Sequence, residues 1–303
     1  MNLKTKSAAF LTGLVVLGGC DRAPEAGKFD GEAALQYAKA QLDFGPRVPG
    51  TPAAQQAGDW IIAQMKARSD TVIVQSWTHT TKDGIQLPMR NIIARYKPDA
   101  RDRVLYVTHW DSRPLSDQAD TEADRAKPVP GANDGASGVG LFVALGDALK
   151  KTPPAFGVDL LFVDGEDWGS FSDADLADVL IGSTYFSRNP VDSVYQPVFG
   201  VVWDMIGDKD LRIPKEGYSL QGAPEVVDRV WRTAAELGHD DVFVSEEIGG
   251  VTDDHVPLLR AGMRVIDVID LDFAHHHKPT DTFDKISARS LSIVGEVAEA
   301  LLR

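Results

Sequence analysis

Two hydrophobic rhythms alternate along this chain. Short β-prone apolar runs occur at Thr71 to Trp77, Arg90 to Tyr96, Arg103 to Thr108, Val158 to Val163, Phe199 to Trp203 and Val265 to Leu271. The last three are nearly continuous, as expected of strands buried on both faces. Between and around them, helices are predicted over Gly31 to Leu42, Pro52 to Arg68, Ala136 to Leu149, Ala174 to Phe186, Pro224 to Leu237, Asp254 to Ala261 and Ser287 to Leu302. Pro52 suits the first turn of its helix. Strands alternating with helices predict an α/β fold, a three-layer α-β-α sandwich around a mixed, largely parallel sheet in one domain. The polar stretch Ser112 to Val129 reads as a loop over the site. Phe44 to Gly50 is a turn-rich break. No repeat or low-complexity tract interrupts the pattern.

The pattern changes at the N-terminus. Lys4 and Lys6 precede an apolar run, Ala8 to Leu17, too short to span a bilayer. Leu17-Gly18-Gly19-Cys20 resembles a bacterial lipobox, and Asp21 to Lys28 reads as a tether. Residues 1–19 are therefore expected to be a lipoprotein signal peptide. The alternative is an ordinary secretory signal with an incidental cysteine. A lipid on Cys20 would anchor the chain to a membrane surface, facing the periplasm or the cell exterior. Cys20 is the sole cysteine, so no intrachain disulfide can form. Acidic side chains outnumber basic ones 45 to 31, a net charge of −14. No basic stripe is present, which argues against a nucleic-acid partner.

Polar residues capable of metal chemistry cluster just past the apolar runs. His109 and Asp111 follow one strand, and residues two apart in extended backbone point the same way. One could ligate while the other orients it; a polar loop cap is the alternative. Gly131-Ala132-Asn133-Asp134 opens a helix through a tight turn. Its spacing fails the dinucleotide fingerprint, and Asp134 would repel phosphate. Asp134 is read as a carboxylate held over a site, or as a capping turn. Glu166 and Asp167 end the next buried strand. Adjacent carboxylates repel, which a metal would relieve, and one could serve as general base. Asp204 ends another strand. Asp253 is read as its partner, while Asp254 and His255 are read as a helix cap. One of His275, His276 and His277 is expected to be a ligand. Imidazole and carboxylate donors suit a hard or borderline divalent metal.

Together these segments resemble the zinc aminopeptidase family, and more closely its bacterial glutaminyl cyclase-like branch. The resemblance runs from Phe44 to the last helix. Its most specific parts are His109-Trp110-Asp111-Ser112-Arg113-Pro114, Gly131 to Gly138, and Thr252-Asp253-Asp254-His255. It implies a zinc-aminopeptidase-like sandwich over residues 29–303. It implies that His109 and Asp204 serve one metal position and Asp167 and His277 the other, with Asp134 bridging. Glu166 would be the general acid/base, with Asp204 and Asp253 in an acidic network beside it. His277 is singled out because the family's ligand lies four residues before the Asp of an Asp-Thr pair, here Asp281-Thr282. His276 and Trp168 are the expected substrate-contacting residues; cyclases usually carry Trp where this chain has His276. The implied activity is conversion of N-terminal Gln to pyroglutamate with release of ammonia, using one Zn2+. The alternatives are an aminopeptidase with two Zn2+, or a non-catalytic binding lipoprotein. The expected partners are peptides or proteins with a free N-terminus.

Overall fold

The computed structural model describes residues 29–172, 176–192 and 194–303. The expected signal peptide, Cys20 and the tether lie outside the described residues. The strands are β1 (Thr71–Thr80), β2 (Gln86–Tyr96), β3 (Arg103–His109), β4 (Gly157–Val163), β5 (Phe199–Asp204), β6 (Ile213–Lys215), β7 (Phe243–Glu247) and β8 (Val265–Ile269). The helices are α1 (Gly31–Leu42), α2 (Pro52–Lys66), α3 (Glu122–Arg125), α4 (Ala136–Lys151), α5 (Ile181–Arg188), α6 (Gly217–Gly222), α7 (Pro224–Glu236), α8 (His255–Arg260) and α9 (Ala288–Ala300).

Among the described residues, six strands form the main sheet in the order β1-β2-β4-β3-β5-β8. β1 and β2 pair antiparallel, as do β2 and β4; the remaining pairs are parallel. The alternating pleat of β3 shows why both faces are apolar. Val104 and Tyr106 enter a core with residues of α1, α2, α4, α7 and α9. Leu105 and Val107 enter the opposite core, with Phe186 of α5 and Leu258 of α8. Helices on both faces make the three expected layers.

Parallel pairing decides where the chemistry sits. His109 pairs with Val163 and Asp204 with Ile269, so β3, β4, β5 and β8 end side by side. Ligands bind beyond these carboxyl ends in open α/β sheets.

Three local expectations need correction. Among the described residues, the helix expected over Ala174 to Phe186 is α5, starting at Ile181. Asp178 and Leu180 both take positive φ, and Ala177 bridges to Ser170 instead, so no helix can run through them. The Ser112 to Val129 loop contains the single turn α3, capped by Thr121. The two-stranded β6-β7 sheet and α6 were not foreseen; each is too short to set up a hydrophobic period.

Candidate metal centre

His109 ends β3 with its ring buried. Its Nε2 lies 3.0 Å from Asp134 Oδ1 and 3.1 Å from Asp204 Oδ1. Its Nδ1 lies 3.4 Å from Asp111. The Asp111 carboxylate also accepts the backbone N–H groups of Glu166 (3.1 Å) and Asp167 (3.2 Å). Asp111 therefore orients the imidazole and pins the acidic turn after β4. Gly165, at φ +68°, lets that turn bend.

Asp134 is delivered by the turn before α4. Asp281 accepts the N–H groups of Asn133 (2.8 Å) and Asp134 (3.1 Å). Asn133 ties the turn to the end of β5, donating to Met205 O and accepting from Gly207 N. Gly135 has φ +97°, and a Cβ there would lie 2.6 Å from Asp111 O. Only glycine fits. Behind the turn, the fully buried Arg47 guanidinium donates to the carbonyls of Pro130 and Gly131, each at 2.6 Å.

His277 comes from the loop after β8. Its Nε2 is 3.3 Å from Asp167 Oδ1 and 3.9 Å from Asp134 Oδ2. Its Nδ1 is 3.2 Å from Asp117. Arg113 grips Asp117 at 2.8 and 2.9 Å and Asp167 Oδ1 at 2.5 Å. Asp167, Arg113, Asp117 and His277 thus form a closed ring of charges.

The electrostatics suit a cation. Burial opposes charge on His277, yet Asp167 and Asp117 raise its pKa to about 10. Burial likewise opposes charge on His109, and Asp204, Asp111 and Asp134 raise it well above the ordinary imidazole value. The field that holds protons on these rings is the field a divalent ion would meet. Burial raises Glu166 well above the usual carboxylate range, and Asp167, Asp253 and Asp254 add to this against His109. Burial and the neighbouring Asp204 raise Asp253 to about 6.

The donors fit zinc. Asp134 Oδ2 and Asp167 Oδ2 are buried without a hydrogen-bond partner, a costly state that a bound cation relieves. Two ligands of a tetrahedral zinc, each about 2.0–2.1 Å from it, lie about 3.3 Å apart. The separations of 3.0 to 3.9 Å among these side chains bracket that value. Among the described residues, two candidate groups share Asp134: His109, Asp134 and Asp204, and Asp134, His276 and His277. Asp167 belongs to neither group, but its Oδ1 lies 3.3 Å from His277 Nε2.

A cavity of about 360 Å³ opens over the centre. Glu166, Asp204, Asp253, His276 and His277 line it, with Phe171, Met205, Ile269 and Leu271 as apolar wall. Trp168 is not on this wall. It packs, partly buried, against the apolar cluster of Leu87, Met89 and Ile181, as Trp77 does. Asp254 does not cap α8 with its side chain: its carboxylate accepts from Ser183 Oγ at 2.5 Å. His255 is a core residue, 3.2 Å from the buried Glu216. Sequence reasoning assigned no role to Arg47, Arg113, Asp117 or Phe171, and used Asp281 only as a landmark.

A family model described as peptidase family M28 matches residues 91–302. The chain belongs to that family. Among solved structures similar to this family M28 chain is the glutaminyl cyclase of Bacteroides thetaiotaomicron bound to N-acetylhistamine. It is 34% identical with a TM-score of 0.87, covering 91% of this chain and 98% of that one. The Porphyromonas gingivalis glutaminyl cyclase is 36% identical with a TM-score of 0.87 over 91% and 99% of the two chains. A Zn-dependent exopeptidase of Parabacteroides distasonis is 31% identical with a TM-score of 0.88 over 91% and 98%. Several curated relatives are much longer: this chain spans half of their length or less. The expected sheet and zinc chemistry are those of this family and its solved neighbours.

Proposed function

We propose that this chain converts N-terminal glutamine of peptides to pyroglutamate with release of ammonia. The observation that carries the reading is one cavity holding Glu166 and Asp253 beside the Asp134, Asp167 and His277 donors. Similarity to glutaminyl cyclases over nearly the whole chain supports it. Asp134, Asp167 and His277 would hold the zinc. Bound there, it would polarise the side-chain amide carbonyl of the substrate as a Lewis acid. Glu166 takes the proton from the α-amine as its nitrogen attacks the amide carbon. It returns that proton to the departing amide nitrogen, so the new N–C bond forms as ammonia leaves. Asp253 and Asp204 hold the amine and balance its developing positive charge. Asp111 keeps the Glu166 backbone in place through its N–H. Phe171, Ile269 and Leu271 give the cavity an apolar wall beside the reacting groups.

A second reading is favoured by a specific observation. His109, Asp134 and Asp204 form another donor group sharing Asp134, the arrangement a two-zinc aminopeptidase needs. Glu166 would then be base for a water nucleophile.

Incubating the zinc-loaded protein with a Gln-initiated peptide separates the two. Loss of ammonia supports cyclisation; a released amino acid supports the peptidase and sinks the first reading. Glu166→Gln should lower turnover by about 10²–10⁴-fold with zinc still bound. We also assign the protein to a membrane surface through lipid on Cys20. Detergent-phase partitioning that Cys20→Ala abolishes would support this, and equal partitioning would refute it.

A further inference from the structure

We infer that His276 is a further donor to the ion held by Asp134 and His277. The inference rests on the zinc reading above. Successive side chains in regular backbone diverge, so adjacent histidines do not ordinarily share an ion. Here the backbone is not regular. His277 has φ +52°, and its ring lies beside that of His276, centroids 3.8 Å apart and planes at 47°. One donor atom each from Asp134, His276 and His277 lies within 4.8 Å of the other two. Ligands of a tetrahedral zinc lie about 3.3 Å apart, so an ion bound by all three would have to draw these atoms together.

Gln118 prepares the ring for this role. The Gln118 side-chain amide meets His276 Nδ1 at 3.4 Å, and Gln118 N donates to His277 O at 3.3 Å. The ring is held through Nδ1, which leaves Nε2 as its donor atom. A side-chain partner on the far nitrogen is how metal-ligating histidines are ordinarily oriented, and an amide can present its oxygen there as readily as its nitrogen. Meanwhile Arg113 donates to Asp167 Oδ1, and Asp167 Oδ2 is buried without a hydrogen-bond partner. Asp134, Asp167 and His277 alone give three donors. His276 would make a set of two imidazoles and two carboxylates, of which Asp134, His276 and His277 have donor atoms within 4.8 Å of one another. Four protein donors would close the position that a catalytic zinc ordinarily keeps open, and imidazole favours zinc, copper or nickel over harder ions. Substrate entering the cavity would then displace one donor. His276 is partly buried on the cavity wall, where an entering substrate would meet it.

The test compares full-length wild type with His276→Trp and His276→Gln, each stripped of metal. Trp keeps the wall apolar and bulky; Gln keeps it small and polar, so one variant stands if the other misfolds. Zinc is titrated against a competing chelator, and cobalt(II) is added separately to read coordination from its visible bands. Zinc affinity should fall at least about tenfold in both variants, since even outer-shell partners are worth that much. The cobalt bands should shift and weaken as a nitrogen donor is lost. Wild-type affinity and an unchanged cobalt spectrum in both variants would overturn the inference and leave the zinc reading standing. Wild type that takes up no zinc would overturn both.

Discussion

Replacing Arg47 by Met should be among the most damaging single changes outside the metal ligands. Its guanidinium is fully buried and donates to the carbonyls of Pro130 and Gly131 at 2.6 Å, with Trp110 O further off at 3.4 Å. Burial lowers its pKa to about 10 against the pull of Asp281, Asp111 and Asp134, so it remains a cation at neutral pH. Met fills most of the same space but donates nothing. Two hydrogen bonds from a charged donor are worth about 1.5–3 kcal/mol each, or about 3–6 kcal/mol together. Removing one partner from a buried charged cluster costs about 3–5 kcal/mol by a separate route. Both ranges are net of the desolvation that the cation itself suffers, and they meet near about 4 kcal/mol. That is a large share of the roughly 5–15 kcal/mol that holds a protein folded. With a urea slope of about 3 kcal/mol per molar, the unfolding midpoint of metal-free protein should fall by about 1.3 M. Arg47→Lys keeps the charge without the planar fork and should fall between the two. A shift for Arg47→Met below about 0.3 M would refute the claim that these carbonyls depend on Arg47.

Other changes probe separate parts of the account. Burial works against charge on Glu216, yet His255 and the N–H groups of Tyr218 and Ser219 pull its pKa down to about 2. Because the folded value lies below the unfolded one, the stability it confers is present above about pH 4.5 and drains away as pH falls toward 2. Glu216→Gln should flatten that part of the acid-unfolding curve by no more than about 3 kcal/mol; superimposable curves would count against it. Asp117→Ala removes the carboxylate facing His277 Nδ1, and zinc affinity should fall about 10–100-fold. An unaltered affinity would show that His277 needs no such partner. Gly135→Ala forces a Cβ toward Asp111 O at positive φ; we expect lower stability and loss of turnover together, and a fully active variant would mean the turn is not constrained as described.

Much of this architecture is readable from the chain because two-sided burial leaves a plain mark. Strands such as Val158 to Val163 and Phe199 to Trp203 are almost wholly apolar, so a polar residue at the end of such a run stands out. That contrast is what exposes His109, Glu166, Asp167 and Asp204. The supporting groups leave no such mark. Arg47 bonds to carbonyls at residues 110, 130 and 131, and every residue has a carbonyl. Asp281 bonds to two N–H groups about 150 residues away, and nothing in Pro-Thr-Asp-Thr marks partners so distant. Asp254 reads as a helix cap, whereas tertiary packing turns it toward Ser183. The late start of α5 depends on positive φ at Asp178 and Leu180, and a leucine gives no warning of that. Trp168 sits next to the acidic pair in sequence, but the chain turns it into a neighbouring apolar cluster.

The central claim is that segments remote in sequence converge to hold zinc at the carboxyl edge of the sheet. Diffraction at the zinc absorption edge, from crystals of the full-length protein grown with zinc, tests this most directly. The account predicts an anomalous peak within bonding distance of Asp134, Asp167 and His277. Zinc-saturated crystals whose anomalous peaks all lie away from these side chains would contradict it.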